Sequence, residues 1–334
     1  MKTFLTGLMA ATALVAASPA FAEKHGEVSP AIVYDLGGKF DKSFNEAAYN
    51  GAEKFKGEAG TEYREFEIQN DAQREQALRR FAEAGNSPIV VAGFSFANAI
   101  EKVAEEFPDT QFTLIDMVVD KPNVRSVVFK EHEGSYLVGV LAAMAAESGK
   151  VGFVGGMDIP LIRRFACGYV GGAKAAGATE VFENMTGTTG AAWNDPVRGG
   201  ELAKNQISQG ADVVYHAAGG TGVGVLQAAA DEGKLGIGVD SNQNGLQPGK
   251  VLTSMLKRVD VAVFEAMNDA KNGEWTPGIT VLGLAEDGVG YAVDENNEAL
   301  LTDEMKAAVE DAKAKIIAGE IEVHDYMSDE SCPY

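Results

Sequence analysis

The sequence predicts an α/β protein made of two doubly wound parallel-sheet units. Three observations carry this. Short apolar runs alternate with stretches of helical periodicity, the alternation restarts near the middle of the chain, and no Pro/Ser-rich or low-complexity linker separates the halves. Strands separated by helices of this length imply a parallel sheet covered on both faces. A chain of 334 residues, 46% hydrophobic and 23% charged, suits two ordinary domains and is globular in composition. With 28 basic against 49 acidic side chains the formal charge is -21. That balance repels phosphate backbones, so nucleic acid is not an expected partner, and it disfavours simple adhesion to anionic lipid.

Residues 1–22 read as an export signal. Lys2 gives a positive start, Phe4 to Ala17 an apolar stretch, and Ala20-Phe21-Ala22 a small-x-small cleavage pattern. Cleavage is expected after Ala22, giving an exported, soluble protein located in the periplasm. The run is too short to span a bilayer with those flanks, and no Cys at the cleavage site invites a lipid anchor.

The first unit opens with a strand, Ala31 to Leu36. Phe44, Ala47, Ala48, Gly51, Ala52 and Phe55 then fall at helical spacing, and Ser43 with Glu46 predicts a capping box. Strands follow at Tyr63–Ile68, Pro88–Ala92, Phe112–Ile115 and Ser126–Lys130, with helices at Ala72–Ala84 and Phe96–Phe107 between them. The second unit begins with a helix at Tyr136–Glu147. Its strands are Val151–Val154, Glu180–Asn184, Asp212–His216, Leu235–Val239 and Val251–Met255; its helices are Arg163–Ala176, Gly199–Gln209 and Val223–Asp231. A helix at Val259–Lys271, a strand pair around Val281–Val293 and a helix at Asp303–Ala318 end the chain.

Ligands of such sheets bind beyond the carboxyl ends of the strands. There this chain places Asp35, Asp41-Lys-Ser-Phe44-Asn45, Gly93-Phe-Ser95-Phe, Asp116, Gly155-Gly-Met, Trp193-Asn-Asp-Pro, Gly219-Gly220-Thr221-Gly222, Asp240 and Lys257. Aromatics, carboxylates, amides, one ammonium and a glycine loop suit a flat polar ligand carrying hydroxyls. Each has a plainer use. Phe44 lies in register with core positions, Trp193 could cover a neighbouring helix, and single charges such as Asp240 and Lys257 are often solvated ends.

Two motifs are decoys. Gly220-Thr-Gly222-Val-Gly224 has its third glycine one position early for dinucleotide binding. Gly93-Phe-Ser95-Phe-Ala97 nearly matches a nucleophile elbow, but neither His216 nor His324 is placed to activate Ser95, which reads as a helix cap. The histidines at 25, 132, 216 and 324 form no close pair, so no metal and no cofactor are expected. Cys167 and Cys332 allow one internal bridge, and a buried thiol at Cys167 is an equally good reading.

Five motifs in order resemble one family. They are Asp41-Lys-Ser-Phe-Asn45, Glu133-Gly-Ser-Tyr-Leu-Val-Gly139, Ala218-Gly-Gly-Thr-Gly222, Gly238-Val-Asp240 and Val251-Leu-Thr-Ser-Met-Leu-Lys-Arg258. Together they are similar to the basic-membrane-protein family of ABC-transporter substrate-binding proteins, and the resemblance runs from about Ile32 to the C-terminal helix. It implies a type I periplasmic binding-protein fold whose two lobes close over a purine nucleoside (adenosine, guanosine or inosine), delivered to permease subunits in the inner membrane. The lobes would comprise residues 24–133 with 258–282, and 134–257 with 283–334. Phe44 and Trp193 would stack on the two faces of the base, Trp193 standing where the family often has Phe. Asn45 would make a polar contact nearby, and Asp35 and Asp116 would meet base-edge or ribose donors. Asp240 and Lys257 would hold the ribose hydroxyls, and Gly220, Thr221 and Gly222 would bring backbone N–H groups to the sugar. The family implies transport without catalysis, and a monomer is the expectation for a two-lobed receptor. A sugar-binding protein, a secreted hydrolase and a sensor subunit are the competing readings.

Overall fold

The structure, a computed structural model, describes residues 28–334, so the leader expected over residues 1–22 lies outside it. Along the chain run β1 (Ala31–Tyr34), α1 (Phe44–Ala59), β2 (Arg64–Glu67), α2 (Gln73–Glu83), β3 (Ile89–Ala92), α3 (Ala97–Glu106), β4 (Phe112–Ile115), β5 (Val124–Phe129) and α4 (Glu131–Ala145). Then come β6 (Lys150–Met157), α5 (Pro160–Ala175), β7 (Glu180–Gly187), α6 (Pro196–Ser208), β8 (Val213–Ala217), α7 (Thr221–Asp231), β9 (Leu235–Asp240) and β10 (Val251–Lys257). The last elements are α8 (Val259–Asn272), β11 (Gly278–Leu282), β12 (Val289–Tyr291) and α9 (Asp303–Ile317).

Two six-stranded sheets result, ordered β11-β5-β4-β3-β1-β2 and β12-β10-β9-β8-β6-β7. The central strands β1, β3, β4 and β8 are buried along their whole length, as expected where helices cover both faces. In each sheet the strand order reverses about its first strand, β1 or β6, which opens a crevice at the carboxyl ends. The chain passes between the sheets after β5, after β10 and after β11. These two wound α/β lobes are the type I periplasmic binding-protein architecture.

Two expectations need correction. The segment around Val281–Val293 is not a strand pair: β11 runs parallel to β5 in the first sheet, whereas β12 runs antiparallel to β10 in the second. Both runs are short and flank a turn, which imitates a hairpin in sequence. The helix expected from Tyr136 begins at Glu131. Its first turn is polar yet buried, because Glu131 meets Lys257 and Arg164 while Glu133 accepts the Leu284 N–H.

Helix α4 is covered by α5 at very close range. A Cβ on Gly168 would lie 2.3 Å from the His132 carbonyl oxygen, and one on Gly172 would lie 2.0 Å from that of Tyr136. Only glycine admits that approach.

Candidate ligand-binding site between the lobes

A cavity lined by residues of both lobes opens between the carboxyl ends of the two sheets. Of the residues expected from sequence, Asp35, Phe44, Asn45, Asp116, Trp193, Asp240 and Lys257 line it. Gly220, Thr221 and Gly222 do not; the loop's contribution is Gly219, with Ala217 and Ala218 before it.

On the first lobe, the start of α1 is capped by Asp41 and not by Ser43. The Asp41 carboxylate accepts the N–H groups of Ser43 at 2.8 Å, Asn45 at 3.0 Å and Glu46 at 3.1 Å. Ser43 directs its hydroxyl across the cleft to Asp240, and Glu46 accepts the N–H of Lys42. The capping-box reading fails because the serine has a stronger acceptor on the other lobe. Burial pushes Asp41 up to about 7, against its three N–H donors and with the charge of Asp240 adding to the rise.

Asp35 is already well supplied. It accepts from Arg74 at 2.6 Å, from the Leu36 N–H at 2.8 Å and from the Ser95 hydroxyl. Ser95 therefore is not a helix cap; α3 begins after it without a side-chain cap. The Asn45 carboxamide bonds the Asp35 and Gly38 carbonyls at 3.2 Å each, holding the turn that leads into α1. This leaves Phe44, the first residue of α1, with its ring toward the cavity and the Lys257 ammonium 5.2 Å from its centroid.

Where the chain crosses between lobes, charges are buried together. Lys257 lies 2.7 Å from Asp116 and 3.0 Å from Glu131, with all three side chains almost wholly inaccessible. Arg164 reaches Glu131 at 3.0 Å, the Phe129 carbonyl at 2.8 Å and Asp325 through two bonds of 2.7 Å. Burial opposes the charge on Lys257, but Asp116, Glu131 and Asp240 outweigh it and raise its pKa. Burial likewise drives Asp116 up to about 6, with Lys257 pulling the other way. Its second oxygen, Oδ1, is buried without a hydrogen-bond partner and belongs to a cavity-lining residue.

On the second lobe, Trp193 closes a short helical turn before α6, its six-membered ring packed against Gly156. A Cβ at Gly156 would come within 2.2 Å of that ring. Thr221 is fully buried and secures the Trp193 loop, donating to the Ala192 carbonyl at 2.8 Å and accepting from the Asp195 N–H at 2.7 Å. The glycine loop thus supports the aromatic from behind. Asp240 ends β9 with φ +63°; Lys42 at +63° and Asp116 at +75° share that sparsely populated region around the cleft.

Sequence reasoning placed Asp41 and Phe94 at the strand ends but gave them no contact with the ligand, and it missed Leu161, Ile162 and Phe165 as lining residues. The last three lie in the first two turns of α5, just past the carboxyl end of β6, so position relative to that strand was a usable signal. Nothing local marks the anchor of α5. Cys167 is bridged to Cys332 across 165 residues, tying the tail to the same helix. Among the described residues, no group of His, Cys, Asp or Glu could hold a metal ion, and no helix is long and apolar enough to cross a membrane.

Comparison with known proteins matches the chain to one family and its fold. The profile of a family described as "ABC transporter substrate-binding protein PnrA-like" matches residues 29–326. The chain is 34% identical over 316 residues to the CD4+ T-cell-stimulating antigen of Listeria monocytogenes, covering 88% of this chain and 87% of that one. It is 33% identical over 322 residues to the ABC transporter nucleoside-binding protein BmpA of Lactococcus lactis, covering 89% of each. A solved solute-binding protein of an ABC transporter system from Aeropyrum pernix superimposes with a TM-score of 0.82 at 32% identity, covering 89% of this chain and 93% of that one.

Proposed function

Because the chain belongs to the PnrA-like family of ABC-transporter substrate-binding proteins, we propose that it captures purine nucleosides between its lobes and delivers them to a membrane permease. Proteins of this family bind a small ligand and serve permease components; the purine nucleoside is our reading for this chain. The leader over residues 1–22 would carry it to the periplasm, where it would act without catalysing a reaction.

The observation that carries the reading is that Phe44 from one lobe and Trp193 from the other bound a single cavity, with Asp240, Asp116 and Lys257 beside them. A base has two apolar faces and a polar edge. Aromatics on opposite lobes would grip the faces only when the lobes close, and stacking contributes about 1–3 kcal/mol per base. Stacking is indifferent to the base, so edge groups must select. Asp116 Oδ1 is a free acceptor for an N–H or a hydroxyl. Asp240 would accept from the ribose diol with the Lys257 ammonium nearby. Asp41 and Asp240 have no cation among their direct partners. A nucleotide's phosphate would meet uncompensated carboxylates, which favours nucleoside over nucleotide. The name of the Lactococcus lactis relative supports the same class.

Titration calorimetry on protein unfolded and refolded to strip carried ligand tests this. The panel is adenosine, guanosine, inosine, uridine, adenine, ribose and AMP. Tight binding confined to nucleosides, with purines preferred and AMP weak, is expected. Ribose binding as well as any nucleoside overturns it in favour of a sugar receptor.

A further inference from the structure

The glycines of two sequence motifs, Gly222 and Gly238, stay off the cavity wall, and each yields the space of a side chain to a buried polar group. A Cβ on Gly222 would lie 1.9 Å from His216 Cε1, and one on Gly238 would lie 2.7 Å from Gln243 Oε1. His216 is fully buried and Gln243 is 2% exposed. The two are bonded: His216 Nε2 lies 2.9 Å from Gln243 Oε1, which also accepts the Val239 N–H at 2.8 Å.

The orientation of that carboxamide is determined by its backbone partners. Val239 offers an N–H, so Oε1 must face it; Lys42 offers a carbonyl, so Nε2 must face that, at 2.8 Å. His216 is then the donor to Oε1, protonated on Nε2, and its Nδ1 is left buried with no partner. An orphaned imidazole nitrogen is a cost to folding. The hydrogen bond that His216 does make aims Gln243.

The bond to Lys42 crosses between the lobes. Two others cross beside it: the Ser241 hydroxyl donates to the Ser43 carbonyl at 2.9 Å, and the Ser43 hydroxyl donates to Asp240. All three converge on Lys42-Ser43, the residues immediately before the cavity-lining Phe44 and Asn45. The two ends of this connection, Lys42 and Asp240, are both held at φ +63°, a sparsely populated conformation that persists where surrounding contacts over-determine it.

We propose that Gln243, aimed by His216, is an interlobe latch that sets how long the closed state persists. The latch rests on closure itself and does not require the ligand to be a nucleoside. Both are positioning residues: neither lines the cavity.

The test uses the full chain, spin-labelled at introduced cysteines replacing exposed Asp120 on the first lobe and Lys204 on the second. Distances are measured by double electron–electron resonance, with and without saturating inosine, and inosine release is followed by stopped-flow Trp fluorescence. Gln243→Met removes the donor to Lys42. Gln243→Glu keeps the acceptor for Val239 and His216, and serves as the folded control should the methionine variant fail to fold. His216→Phe removes only the aiming bond. Each variant is expected to lose closed population and to release inosine about three- to tenfold faster, the worth of one buried hydrogen bond. Association rates should be unchanged, and the effects of His216→Phe and Gln243→Met should not add. Closed population and release rate within twofold of wild type in a folded Gln243 variant overturn the latch. So does a wild type with no closed population in either condition. If inosine does not bind, the nucleoside reading fails, and the distance distributions alone decide the latch.

Discussion

Lys257 Nζ lies 2.7 Å from Asp116 Oδ2, so an ammonium at the end of β10 in one lobe is held by a carboxylate at the end of β4 in the other. Glu131, first residue of the crossing helix α4, is the ammonium's second partner at 3.0 Å. A single side chain thus joins both lobes, one of their crossings and the cavity wall.

Removing that ammonium leaves two buried carboxylates facing each other. Lys257→Met is expected to cost about 3–5 kcal/mol, the usual penalty for breaking a buried pair from one side. Urea unfolding of the full chain reads this directly. A loss below about 1 kcal/mol would mean that the carboxylates find water or protons easily.

Trp193→Ala should weaken nucleoside binding by about 1–3 kcal/mol, the worth of one stacking face, while Trp193→Phe keeps most of the affinity. Gly156→Ala should reproduce part of the loss, because its new methyl would occupy the space of the indole ring. Calorimetry on the three variants is the measurement. Unchanged affinity in Trp193→Ala removes the tryptophan from the site.

Burial lowers His216 to about 4 from its ordinary 6.5, the bond to Gln243 opposing. A group depressed in the folded state adds stability that is complete above pH 6.5 and is lost as pH falls through 4. The contribution is about 3 kcal/mol from the size of the shift. Following the Cε1–H resonance against pH should show a ring neutral at pH 5. Titration near 6.5 contradicts the burial argument.

The Cys167–Cys332 bridge closes a long loop and secures α5, whose first turns line the cavity. Cys332→Ser is expected to lower stability by about 2–5 kcal/mol. Thermal unfolding with and without reductant should show wild type falling to the mutant's midpoint and the mutant insensitive. A wild type that ignores reductant despite a free-thiol assay showing cleavage sinks the prediction.

The local signals read well because they concern neighbours in sequence. Apolar runs such as Ala31–Tyr34 and Ile89–Ala92 became central strands, while the helices expected from Arg163 and Gly199 begin three residues earlier, at Pro160 and Pro196. Errors arose where a polar residue found a distant partner. Ser43 matched a capping box but bonds Asp240, while Glu131 and His132, between the expected strand and helix, begin a buried helix.

By itself the sequence determined the two wound α/β units, the order of their elements and the set of aromatics and acids at the strand ends, because periodicity and strand-end position are short-range properties. Only the tertiary structure decided which of those groups were already engaged. Asp35 is taken by Arg74, and Lys257 by Asp116 and Glu131. Likewise Gln243 of one lobe holds the Lys42 carbonyl of the other, across 201 residues. No pattern in the chain encodes such pairs; they exist because packing removes water from both partners and leaves each with the other as its hydrogen-bond partner.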